Sequence, residues 1–153
     1  MRFTIIAALA LTACGPTLQT ATTPDAIHLT GSLGSGDVAA TGRQYNAMLA
    51  KGKRIVWDGS MVSADAFYAP AAVLASGGCY TDKATWHPHA ASYFGFIPEY
   101  IIPGDPITAQ LASLLPVTMR ETFNASWHRY DPITVALYSN EDLRNIWPEG
   151  ACQ

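Results

Sequence analysis

Ser63 and His89 are the two side chains best suited to chemistry, and they lie 26 residues apart. A serine hydroxyl is a poor nucleophile until a base takes its proton, and a neutral imidazole is the usual base. A hydroxyl and an imidazole brought together would give acyl-transfer chemistry. Each residue also has a plainer role: Ser63 as the N-cap of a helix beginning at residue 64, and His89 as a hydrogen-bonded core histidine. His87, His89 and His128 invite a metal reading, but no cysteine or carboxylate set completes a ligand sphere, so neither a metal nor any other cofactor is expected.

The elements that must position these residues are legible as a coarse alternation. Ala26–Thr30 alternates apolar and polar and suits a first strand. A glycine-rich turn follows at Gly31–Gly36. Val38–Ala50 carries apolar residues at helical spacing, with Asp37 as N-cap and Lys51-Gly52 as a stop. Arg54–Trp57 reads as a buried strand and Asp58-Gly59-Ser60 as a turn. Ala64–Ala75 is helical in composition, with Pro70 expected to kink it or end its first half. Cys79–Thr81 and Ala84–Trp86 are short strands. Helices are expected from Asp105-Pro106 through Leu115 and over Val117–Trp127, and a last strand over Ile133–Tyr138. Ser139-Asn140-Glu141-Asp142 fits a capping box opening a final helix, with Leu143, Ile146 and Trp147 inward. Strand and helix in alternation argue for one α/β domain of repeated β-α units.

Composition narrows the function. The 153 residues make one domain's worth of chain, and 49% apolar content excludes disorder over the whole length. Nine basic residues against twelve acidic ones, with no basic stripe, exclude a dedicated nucleic-acid binder. No internal repeat is visible, and three cysteines are too few for a disulfide-built scaffold.

The first fourteen residues read as an address. Met1-Arg2 is a charged start and Phe3–Ala13 an apolar run, too short for a bilayer core that needs roughly 20 residues. The run ends Leu11-Thr12-Ala13-Cys14, which resembles the lipobox of bacterial lipoproteins. That resemblance implies a signal over 1–13, lipidation of Cys14, and a membrane anchor in the bacterial envelope facing the periplasm or exterior. Residues 14–25, rich in Thr and Pro, are expected to be a tether, with the globular domain over 26–153.

Three segments of the domain resemble the Clp protease/crotonase-like superfamily. Gly34-Ser35-Gly36 with a helix ending Tyr45-Asn46-Ala47-Met48 is similar to the family's oxyanion turn and following helix. Ile55–Gly59 leading to Met61–Phe67 resembles its strand, nucleophile turn and helix. Ala84–Ser92, with His87-Pro88-His89-Ala90-Ala91, resembles the segment bearing the catalytic histidine. The pattern is most similar to small secreted bacterial members with Ser-Ala-Cys, Val-Cys, Gly-Phe-His-Ala-Ala and Tyr-Pro-x-Cys motifs. Here these read Ser63-Ala64-Asp65, Gly78-Cys79, His87–Ala91 and Trp147–Cys152, spanning roughly 26–152.

The resemblance implies Ser63 as nucleophile, His89 as base and the amides of Gly36 and Ala64 as oxyanion donors. The family's acid falls near Thr134–Val135, so Asp131 is the nearest substitute and a dyad is expected rather than a full triad. Asp65 stands where the secreted members have cysteine. Their other cysteine position is Met61 here, which leaves Cys79 and Cys152 as mutual partners in an oxidising compartment. No G-x-S-x-G elbow is present, which disfavours an α/β-hydrolase. The expected function is a membrane-tethered serine hydrolase with a peptide substrate. The alternative is a catalytically silent lipoprotein that keeps the fold for binding or structure. An acyl-CoA enzyme is disfavoured by export and by the lack of a basic cluster. Tyr93–Pro103 is aromatic and apolar: a groove lining, a contact with another copy or the membrane, or a buried loop. Assembly into a homo-oligomer stays open.

Overall fold

A computed structural model of the chain describes residues 18–32, 34, 37–88, 106–127 and 137–153. Strand β1 (Leu18–Thr22) pairs antiparallel with β2 (Ala26–Ser32). Helix α1 (Val38–Leu49) follows, then β3 (Arg54–Trp57) and β4 (Ser60–Val62). Helix α2 (Asp65–Ser76), β5 (Cys79–Tyr80) and β6 (Thr85–His87) complete the first half. Helices α3 (Pro106–Leu114), α4 (Val117–Trp127) and α5 (Asn140–Ile146) come last, before a 3₁₀ turn at Pro148–Gly150. The main sheet runs β1-β2-β3-β5, and β4 and β6 form a separate parallel ribbon. The fold is therefore mixed α/β, with a mixed sheet and five α-helices among the described residues.

Alternation decides which face of the sheet is buried. Ile27 and Leu29 of β2 lie in register with Ile55 and Trp57 of β3, and all four are buried. Helix α2 lies on this core. Its Phe67 meets Phe123 of α4 edge-on at 5.2 Å, and Tyr68 stacks on Tyr45 of α1 at 5.6 Å. Asp37 caps α1 through its side chain, which accepts from the Ala40 amide at 2.8 Å. Ser139 and Asp142 form the expected capping box, and Leu143 and Trp147 are buried.

The carboxyl end is fastened to the sheet. Cys79 and Cys152 form a disulfide, as the resemblance implied. Closing a loop of 73 residues contributes about 4 kcal/mol in the chain-entropy model. Beside it, the Cys152 amide donates to Tyr80 O at 2.8 Å, and the Tyr80 hydroxyl donates to Trp147 O at 2.8 Å.

Two expectations are corrected, and of the two alternatives for Pro70 the end of the helix is excluded. Residues 18–22, assigned to the tether, form β1, whose backbone is satisfied by β2 rather than by solvent. Ser60, assigned to a turn, begins β4. A Cβ at Gly59 would collide with the Thr30 carbonyl, so glycine alone lets the chain pass β2 and leave the main sheet for the ribbon. Pro70 neither ends nor divides α2, which runs unbroken through it. The carbonyl that a residue-70 amide would have satisfied belongs to Ala66, and the Trp86 indole donates to it at 2.8 Å. Most of the strand expected over 133–138 lies outside the described residues. Tyr138 itself forms an antiparallel bridge to Trp86.

That substitution of donors has a measurable consequence. Trp86→Phe leaves a buried carbonyl unsatisfied and should cost about 1–3 kcal/mol beyond lost packing. In a Pro70→Ala background the helix supplies its own amide, so denaturant titration should show a smaller penalty for the same change.

Candidate functional site

The β4–β6 ribbon forms the base of the site. Its register pairs Ser60 with Thr85, Met61 with Trp86 and Val62 with His87. Met61 and Trp86 point into the core, and Ser60, Val62, Thr85 and His87 share the opposite, half-buried face. At the end of β4 the Ser63 amide donates to His87 O at 3.3 Å, which carries the ribbon pairing into the turn.

Ser63 has φ +56°, and is the one non-glycine residue with positive φ among those described. A side chain in the left-handed region costs roughly 1–2 kcal/mol, so surrounding structure must hold it there. The cause is the tight change from strand to helix: β4 ends at Val62 and α2 begins at Asp65. Ser63 is 7% exposed. The N-cap position falls at Ala64, with no side-chain cap, so the plain N-cap role for Ser63 does not hold. The first bonds of α2 run from the Ala66 and Phe67 amides back to the Ser63 and Ala64 carbonyls. The Ala64 amide therefore lies ahead of the ladder, at the positive end of the helix.

Gly34 lies against this serine. Gly34 has φ +80°, and a Cβ placed on it would stand 3.2 Å from Val62 Cγ2 and 3.4 Å from Ser63 Cβ. The Gly34 amide donates to Ser32 Oγ at 3.0 Å. Ser32 Oγ in turn donates to Asp65 Oδ2. Asp65 is 1% exposed, and its Oδ1 accepts no hydrogen bond among the described residues. Burial pushes its carboxyl above the ordinary aspartate range, while the Ser32 and Tyr45 hydroxyls pull it down. Tyr45, buried beside that carboxyl, has its phenol held well above its usual range by burial first and by Asp65 second.

A second polar cluster occupies the open face of the ribbon. His87 Nε2 lies 2.9 Å from Ser60 Oγ and 3.1 Å from Thr85 Oγ1, and the two hydroxyls are 2.7 Å apart. Burial pushes the His87 imidazole below 6.5. In the sequence His87 reads as a metal candidate with His89 and His128 and as part of the His87–Ala91 motif, while Ser60 and Thr85 carry no site role. The available signal was the polar-apolar-polar alternation of Thr85-Trp86-His87; Ser60-Met61-Val62 has no such alternation, because Val62 is apolar. Asp58-Gly59 in front of Ser60 gave it the look of a turn. Among the described residues no group of three His, Cys, Asp or Glu side chains could hold a metal ion.

Of the expected site residues, the structure brings Ser63 and Ala64 to one strand-to-helix turn and sets Gly34 of the glycine-rich turn beside them. Gly36, His89, Asp131 and Cys14 lie outside the described residues, as does the Tyr93–Pro103 segment. No described helix is long and apolar enough to cross a membrane. Comparison with protein-family models, curated proteins and solved structures returned no match in any of the three.

Two measurements follow. Ser63→Gly removes the left-handed penalty and should raise stability by up to about 1 kcal/mol, whereas Ser63→Ala keeps it and should not; chemical denaturation separates the two. For His87 the folded chain disfavours the proton, so its contribution to stability is fully present above pH 6.5 and is lost as pH falls through the lowered folded value. His87→Gln should therefore flatten the decline of unfolding free energy on acidification below pH 6.5, measured against wild type.

Proposed function

We propose that this chain is an envelope serine hydrolase with the Clp protease/crotonase-like fold, held to the membrane by lipidated Cys14 and acting on a peptide bond. The observation that carries this reading is Ser63: a serine in a strained left-handed conformation, at a strand-to-helix turn, with Gly34 packed against it. Strain of this kind persists where function requires a particular side-chain direction. In the proposed reaction Ser63 Oγ attacks the substrate carbonyl as His89 takes its proton. The amides of Gly36 and Ala64 donate to the developing oxyanion, and the positive end of α2 adds to their effect. The imidazolium returns the proton to the departing amine, and water releases the acyl group by the same base. Asp131 is the candidate third member behind His89, and a backbone carbonyl could serve in its place. The Ser63 amide bonded to His87 O supports the pairing, since His89 follows two residues along the same chain.

A second reading, a silent binding lipoprotein, has one observation in its favour. The Asp65 carboxyl is sealed two residues from Ser63, and its charge would oppose an oxyanion. A fluorophosphonate probe separates the two. The hydrolase reading expects a phosphonyl adduct within the tryptic peptide 55–83, lost in Ser63→Ala and reduced at least about 10²-fold in rate in His89→Ala. Folded wild-type protein that takes no label establishes the silent reading.

A further inference from the structure

We infer that Asp65 is a positioning residue for the Ser63 turn: through Ser32 it anchors the glycine turn at Gly34 against the serine. The chain of contacts is continuous. The Gly34 amide donates to Ser32 Oγ, whose own proton goes to Asp65 Oδ2, and Asp65 opens the helix that starts two residues after Ser63. One carboxyl thus ties together two loops that are 31 residues apart in sequence at Ser32 and Ser63.

Stability alone does not account for this carboxyl. A sealed acid with one oxygen lacking a hydrogen bond among the described residues costs free energy, and an apolar side chain of the same size would remove the cost. No other described element supplies an acceptor to Ser32, whose hydroxyl must point away from Gly34 for its lone pair to receive the amide. An acceptor at residue 65 therefore sets the direction of the Ser32 hydroxyl, and that direction sets Gly34. Tyr45 is the titratable group that faces Asp65 from α1, and its hydroxyl also contacts Met61 Sδ at 3.9 Å. The role asks for an acceptor and not for a negative charge, so asparagine, which keeps a carbonyl oxygen in the same place, should serve.

The inference rests on Ser63 being the reacting group, but its first readout does not. Amide hydrogen exchange at Gly34 in the full chain should accelerate about tenfold in Ser32→Ala and in Asp65→Ala, and stay near wild type in Asp65→Asn. Fluorophosphonate labelling of Ser63 should slow by about tenfold in the two alanine variants and be restored in Asp65→Asn. Ser32 is half-exposed, so its alanine variant decides the matter if Asp65→Ala does not fold. Unchanged Gly34 exchange in Ser32→Ala overturns the inference. So does faster exchange with undiminished labelling, or an asparagine variant that behaves like alanine. Wild-type protein that takes no label while Gly34 exchange still responds overturns the hydrolase reading and leaves the anchoring standing.

Discussion

The pairing of β4 with β6 constrains everything at the site. Three residues of each strand, with the Ser63 amide bonded to the His87 carbonyl, hold the end of β4 at a fixed height beside β6. The chain must enter α2 within two residues of that point, and a left-handed Ser63 is what the short turn requires. Without the ribbon the turn could relax and the serine would take an ordinary backbone conformation. The ribbon is itself short, so its stability comes from what is buried beneath it. Met61 and Trp86 supply that anchorage from the inward face.

Helix α2 connects the core to the site. A proline in its middle removes one backbone donor, and the buried indole of the same ribbon replaces it. Trp86 thus serves the helix through its nitrogen, the core through its ring, and the Tyr138 bridge through its backbone. At the other end of α2 the balance is different. Asp65 is an expensive residue to seal, and its neighbours are hydroxyls rather than cations. A cost accepted next to a strained serine, and nowhere else among the described acids, is consistent with a local purpose rather than with stability.

Much of the scaffold was legible because its signals are local. Asp37 before α1, the apolar spacing within α1 and the Ser139–Asp142 box before α5 each declare an element without reference to the rest. What could not be read depends on contacts between distant segments. The Leu18–Thr22 stretch looks like a polar tether because four of its five side chains face solvent, and only pairing with β2 makes it a strand. Pro70 looks like a break because its remedy, Trp86, lies sixteen residues further on. Ser60 looks like a turn residue because Asp58 and Gly59 precede it. At the candidate site, Ser63 stands out by motif, whereas the contact between Ser32 and Asp65 spans 33 residues and no local signal announces it. The disulfide is implied by the resemblance and by the expected export, and the structure forms that Cys79–Cys152 bond.

The most direct test of the central claim is a high-resolution crystal structure of the chain with a phosphonate covalently bound. The account predicts a phosphorus bonded to Ser63 Oγ, a phosphonyl oxygen within about 3 Å of main-chain amides from the glycine turn and from Ala64, and an imidazole ring within hydrogen-bonding reach of Oγ. A phosphorus carried by Ser60, or an adduct on Ser63 with no imidazole near it, would contradict the account.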